Sequence, residues 1–174
     1  MRRLRVPWRA RRTAACAGLG GLGLLLAACA IGSRGLPQCA AAEADLRAAE
    51  RRVLELVNEH RSQLSRPPLA PQPELAAIAR AHSLEMVAPG GRLSHQGFRR
   101  RSRAAAERHP ATRVAENIAA TCQGGPRAAE DAFAGWLRSP PHRRTLEGNF
   151  RATGVGAARA PEGPIVFTQL FTAP

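Results

Sequence analysis

Apolar positions recur at helical spacing through the first two thirds of the chain and at strand spacing near its end. Over residues 40–64, Leu46, Val53, Val57 and Leu64 repeat on one face, and Leu54 and Leu56 widen the stripe, which predicts a long helix. Pro67 and Pro68 stop it, and Pro71 and Pro73 keep the following connection extended. A second helix is expected over residues 73–87, with proline and Glu74 in its first turn and Leu75, Ile78, Ala79, His82 and Met86 on its inner face. Pro89-Gly90-Gly91 ends it. Residues 93–113 are polar and irregular, with a short helix expected at 103–108, and residues 114–120 fit either a short helix or a strand. Gly124-Gly125-Pro126 breaks the pattern before a third helix at 127–137, whose inner face is Ala129, Phe133, Trp136 and Leu137; Ser139-Pro140-Pro141 terminates that helix. A strand starts at Gly154-Val155-Gly156-Ala157, a turn follows at Pro161-Glu162-Gly163-Pro164, and residues 165–171 form the best strand in the chain. That run is apolar on both faces apart from Thr168 and Gln169, so it belongs in the middle of its sheet, with Phe167 and Phe171 on one face against helices. Helices first and a terminal hairpin last indicate an α+β class, with helices packed on a small, mainly antiparallel sheet.

The amino-terminal residues follow a different rule. Arg2, Arg3, Arg5, Arg9, Arg11 and Arg12 precede an apolar run at 14–26, and the small residues Ala27 and Ala28 follow it. This is the layout of a secretory signal, and the run is shorter than the roughly 20 residues a spanning helix needs. Leu26-Ala27-Ala28-Cys29 resembles the bacterial lipobox, which implies diacylglyceryl transfer to Cys29 and a membrane-tethered mature chain. Ala30 after the cysteine resembles the outer-membrane sorting pattern. The expected organisation is a signal at 1–28, a lipid-anchored tether at 29–42 and one domain at 43–174.

Export changes the reading of charge. The formal net charge is +13, but six of the 26 basic residues and none of the 13 acidic ones lie in the signal. The mature chain therefore carries a much smaller excess, and a nucleic-acid partner loses its compositional support. Every basic residue is arginine, as a high-GC genome would give. The run Arg99-Arg100-Arg101 with Arg103 reads as a solvated loop, the alternative being contact with anionic lipid, polysaccharide or a protein partner. Of four cysteines, Cys16 leaves with the signal and Cys29 takes the lipid. Cys39 and Cys122 remain for an oxidising compartment. A bridge between them would close about 80 residues and stabilise by roughly 4–5 kcal/mol in the chain-entropy model; the alternative is two separate thiols.

Five local patterns stand in order: Val57-Asn58-Glu59-His60-Arg61; Leu93-Ser94-His95; Ala115-Glu116-Asn117-Ile118; Trp136-Leu137-Arg138-Ser139-Pro140-Pro141-His142; and Gly154-Val155-Gly156 with Phe167-Thr168-Gln169-Leu170-Phe171. This series resembles the CAP superfamily (cysteine-rich secretory proteins, antigen 5, pathogenesis-related 1) in its bacterial SCP-like form, over residues 50–172. The resemblance implies an α-β-α sandwich with a cavity lined by two histidines and two acidic residues, which in several members bind a divalent metal. His95 and His142 match the two histidines and Glu116 one acid. The second acid is expected a few residues after the first histidine, where this chain reads Gln96-Gly97-Phe98-Arg99-Arg100-Arg101. Glu107 is the nearest substitute. Asn58 and Arg61 match positions with a structural role, tying helix to loop, whereas His60 and His82 read as surface or packing residues.

Two imidazoles are good zinc ligands, and a nearby carboxylate can orient a ring. With His95, His142 and at most one carboxylate, a single zinc-like ion would sit in an open site. Three functions follow. The first is a binding module, monomeric and without enzymatic activity, for a small apolar or amphipathic ligand or another envelope component. The second is a hydrolase, using Ser94, His95 and Glu116 or a metal-activated water with Glu116 as base. The third is a scaffold for a protein partner. No nucleophile elbow flanks Ser94, which favours the binding module.

Overall fold

The structure is a computed structural model that describes residues 36–161 and 163–174, with side chains from Asp45 onward. The expected signal and the expected lipid anchor at Cys29 lie outside these residues. Among the described residues nine elements follow in order: α1 (Leu36–Gln63), β1 (Ala70–Pro71), α2 (Pro73–Val87), α3 (Phe98–Arg108), β2 (Arg113–Thr121), α4 (Pro126–Arg138), α5 (Pro140–Leu146), β3 (Ala152–Arg159) and β4 (Ile165–Ala173). The first helix begins inside the segment expected as a tether, because Leu36 and the alanines at 40–42 are good helix formers and Pro37 is tolerated in a first turn. Among the described residues no helix is long and apolar enough to cross a membrane.

The four strands lie in the order β1-β3-β4-β2. β3 and β4 form the terminal hairpin, and β4 lies between β3 and β2, both antiparallel to it. β1 adds a two-residue parallel bridge, Ala70 to Ala152 and Pro71 to Thr153. The apolar run at 165–171 is central for the reason its sequence gives: both of its faces are covered. On one face, Val155, Phe167 and Phe171 pack with Leu46, Val53 and Val57 of α1 and with Ala128, Ala132 and Trp136 of α4. On the other, Ala152 and Leu170 pack with Leu75, Ile78 and Ala79 of α2 and Ala105 of α3. This is the expected α-β-α sandwich. Leu64 departs from the expected stripe of α1: it lies just beyond the helix and is 42% exposed.

Polar groups fix the helices on the sheet. Glu50 of α1 is buried, accepts the Ala157 N–H at 2.7 Å and meets Arg80 Nη2 of α2 at 2.8 Å, so one carboxylate joins α1, α2 and β3. Arg61 is 1% exposed and donates to the carbonyls of Pro67, Leu146 and Gly148 at 2.7–3.0 Å. Burial, with Arg66 and Arg151 nearby, pulls its guanidinium below its ordinary value. Asn58 exchanges two hydrogen bonds with the backbone of Leu69. These are the structural roles expected of Asn58 and Arg61.

Gly154 and Gly156 let α2 lie directly on β3. A Cβ at Gly156 would overlap the backbone of Ala79 and Arg80, and one at Gly154 that of Leu75 and Ala76. Gly156→Ala is therefore expected to lower the unfolding free energy by about 2 kcal/mol or more, as overpacking does. The urea midpoint measures it, and an unchanged midpoint would show that α2 does not approach this closely.

Candidate functional site

β2 is an edge strand, and two of its consecutive residues reach to opposite faces of the sheet, as strand alternation requires. Glu116 points toward the loop between α2 and α3; Asn117 points toward α5. Glu116 Oε1 accepts a hydrogen bond from His95 Nδ1 at 2.8 Å. Because a carboxylate only accepts, this contact places a proton on Nδ1 and turns Nε2 away from Glu116. Asn117 Nδ2 donates to the carbonyl of His142 at 3.1 Å, holding the first turn of α5 against the strand. The His95 and His142 rings come together with centroids 6.3 Å apart and planes tilted by 34°. The three residues separated along the chain thus converge at the open edge of β2.

The loop carrying His95 is clamped from both neighbouring helices. Buried His82 of α2 donates from Nε2 to the Ser94 carbonyl at 2.9 Å, so it is a packing residue with a polar task. Ser94 Oγ accepts the Gln96 N–H at 3.0 Å. Gly97 then takes a left-handed conformation (φ 77°) and starts α3. Expected as a loop around a short helix at 103–108, the segment is helical from Phe98, and the arginine run is not all solvated. Phe98, Arg101 and Ala105 share the inner face at helical spacing, and Arg101 is 4% exposed. Its Nε meets Glu116 Oε2 at 2.7 Å and its Nη2 meets Glu116 Oε1 at 2.8 Å, while Nη1 donates to the Gln96 carbonyl at 2.8 Å. The Glu116 side chain is 1% exposed, whereas that of His95 is 50% exposed. The carboxylate is thus an internal anchor, and the imidazole is the group presented to solvent. Glu107 is exposed and supplies no second acid.

Trp136 is core, as expected, and its indole donates to the Ile118 carbonyl at 2.9 Å. His60 packs edge-on against Phe133 and meets Glu147 Oε1 at 3.0 Å, away from the site. Cys122 is exposed just beyond β2. Cys39 falls in the first turn of α1, where side chains lie outside the described residues, so the bridge stays an expectation.

The sequence matches the cysteine-rich secretory protein family, CAP, over residues 54–171. The chain belongs to the CAP family. Among solved structures it is similar to an extracellular protein containing an SCP domain from Bacillus anthracis, with 28% identity and a TM-score of 0.59, over 74% of this chain and 41% of that one. This chain therefore spans less than half of the Bacillus protein. It is also similar in fold to an outer surface protein from Borrelia burgdorferi (16% identity, TM-score 0.61, 71% of this chain and 91% of that one). A cysteine-rich secretory protein from Staphylococcus aureus is a further neighbour (18% identity, TM-score 0.56, 72% of this chain and 38% of that one). A comparison with curated protein sequences finds no match.

The divalent ion implied by the CAP resemblance does not fit this donor set. Both Glu116 oxygens lie on the Arg101 guanidinium, which leaves two imidazoles where zinc requires three or four protein ligands. Among the described residues no group of three or more His, Cys, Asp or Glu side chains is disposed to hold a metal. Electrostatics point the same way. A carboxylate ~5 Å from a divalent ion attracts it by about 7 kcal/mol at an effective dielectric constant near 20, and a guanidinium at like distance cancels that attraction.

Burial, and secondly the neighbouring His95, lower the His142 pKa from its ordinary 6.5. The neutral ring is the form the CAP fold favours. The associated stability is complete above that value and is lost as pH falls through the depressed one, since the unfolded chain takes up its proton first. The melting temperature of wild type minus that of His142→Gln should therefore shrink between about pH 7.5 and pH 5. A difference that stays constant or grows on acidification would contradict the assignment.

Proposed function

We propose that this CAP domain is an exported, non-enzymatic binding module, tethered to the cell envelope through Cys29. Its ligand is small and amphipathic, with a polar group that meets the His95–His142 pair and an apolar part. The observation that carries this reading is the division of labour at the β2 edge. Glu116 and Arg101 are buried against each other, while His95 stands half in solvent facing His142 at 6.3 Å. Leu93, two residues before His95 and 53% exposed, offers apolar surface on the same loop. A few well-placed polar groups beside apolar surface are what a small-molecule site needs. Export is supported by the amino-terminal pattern and by the extracellular and outer-surface neighbours.

The local geometry lends the hydrolase alternatives less support. A serine nucleophile needs a base on its hydroxyl, and the hydrogen bond at Ser94 Oγ is one accepted from the Gln96 N–H, not one made to an imidazole. A general base needs a lone pair that water can reach, and the Glu116 side chain is 1% exposed with both oxygens facing Arg101.

Native mass spectrometry of protein taken from its own membrane tests the reading. Wild type should carry a small organic ligand in addition to the anchor, His95→Gln/His142→Gln should lose it, and a fluorophosphonate probe should leave Ser94 unlabelled. Labelling of Ser94, or a wild-type mass with nothing beyond the lipidated chain, would overturn it.

A further inference from the structure

We infer that the Arg101 guanidinium is the resident cation of the His95–Glu116–His142 site, so that the site is assembled and charge-balanced without a metal ion. The expected pattern of two histidines and two acids carries two negative charges when the imidazoles are neutral, and a divalent ion would neutralise it. Here the buried groups are one carboxylate and one guanidinium, which sum to zero. Arg101 also makes contacts that a bound cation would make. It faces both oxygens of Glu116 at 2.7 and 2.8 Å. It also gathers the loop, through the Gln96 carbonyl at 2.8 Å and the His95 carbonyl at 3.5 Å. Glu116 in turn orients the His95 ring from its Nδ1 side. The guanidinium therefore does for His95 what a metal with its carboxylate ligand would otherwise do, and it is covalently part of the chain.

The placement is built in rather than incidental. Arg101 lies in helical phase with Phe98 and Ala105 on the inner face of α3, so the helix cannot bury those two and leave Arg101 in solvent. Gly97 admits the guanidinium beside the loop, since a Cβ at that position would come within 3.2 Å of Arg101 Nη1. Arg99, Arg100 and Arg103 of the same run are exposed, and Arg100 pairs at the surface with Glu85. Of the four arginines only Arg101 has been taken inside. Such a site stays formed in zinc-poor surroundings and is indifferent to chelators.

Zinc is the probe that tests this. Wild type stripped with EDTA should bind zinc no more tightly than His95→Gln/His142→Gln does, and should melt at the same temperature with and without it. Arg101→Ala frees Glu116 to join His95 and His142, so it should bind zinc at least about tenfold more tightly than wild type and gain melting temperature with the metal. Arg101→Gln serves as the second variant, because its amide can still hydrogen-bond the buried carboxylate. If neither variant folds, the wild-type titration decides alone. One equivalent of tightly held zinc in wild type, lost in His95→Gln/His142→Gln, would overturn the inference. So would a folded Arg101 variant with no gain in zinc affinity. Neither outcome depends on the organic ligand proposed above.

Discussion

Glu116 is held between two positively polarised partners of unequal burial, and the character of the site follows from that inequality. Arg101 approaches from inside α3 and takes both carboxylate oxygens; His95 approaches from the solvent side and shares one. A carboxylate this buried would be costly alone, and pairing with a hydrogen-bonded guanidinium offsets the cost. Because the charge is satisfied from within, nothing at this point of the fold calls for an ion from outside. The imidazoles are left as oriented hydrogen-bonding groups at the rim.

The remaining architecture brings His142 to that rim. Edge strand β2 sends Glu116 to one face and Asn117 to the other, so one strand positions both histidines from opposite sides. The Trp136 indole covers the Ile118 carbonyl one residue farther on, and Arg61 gathers the chain around the end of α5 through the Leu146 and Gly148 carbonyls. Glu50 and the glycines of β3 perform the corresponding service for α1 and α2. Apart from the glycines, which act by close approach, each device joins distant segments through a polar contact among packed apolar side chains. In such surroundings an electrostatic contact is stronger than in water, and an unmade one is expensive.

Elements whose apolar residues keep a clean period were legible beforehand. α2 runs over residues 73–87 as expected, α4 within a residue of the expected 127–137 at each end, and β4 has the central place that an apolar run on both faces implies. α3 was only half legible, because its inner face carries Phe98, Arg101 and Ala105, and a buried arginine reads as solvent in any hydrophobic pattern. The prolines at 140 and 141 end α4, as their lack of an N–H implies, but they also occupy the first turn of α5, where a missing N–H costs nothing. β1 was invisible because two residues have no period. The family motifs located His95, Glu116 and His142, but they said nothing of Arg101. Its signal lay in the missing acid: an arginine run stood in the stretch where a carboxylate was expected. The task of His82 likewise depends on a carbonyl twelve residues away, which side-chain patterns do not encode.

A double-mutant cycle on Arg101 and Glu116 tests the central claim most directly, using the unfolding free energies of Arg101→Met, Glu116→Gln and the combined variant. Each single change should cost about 3–5 kcal/mol by leaving one member of a buried pair without its partner, and the double variant should recover a coupling of at least about 2 kcal/mol. Additivity within about 0.5 kcal/mol would contradict the account, because the two groups would then not be holding one another.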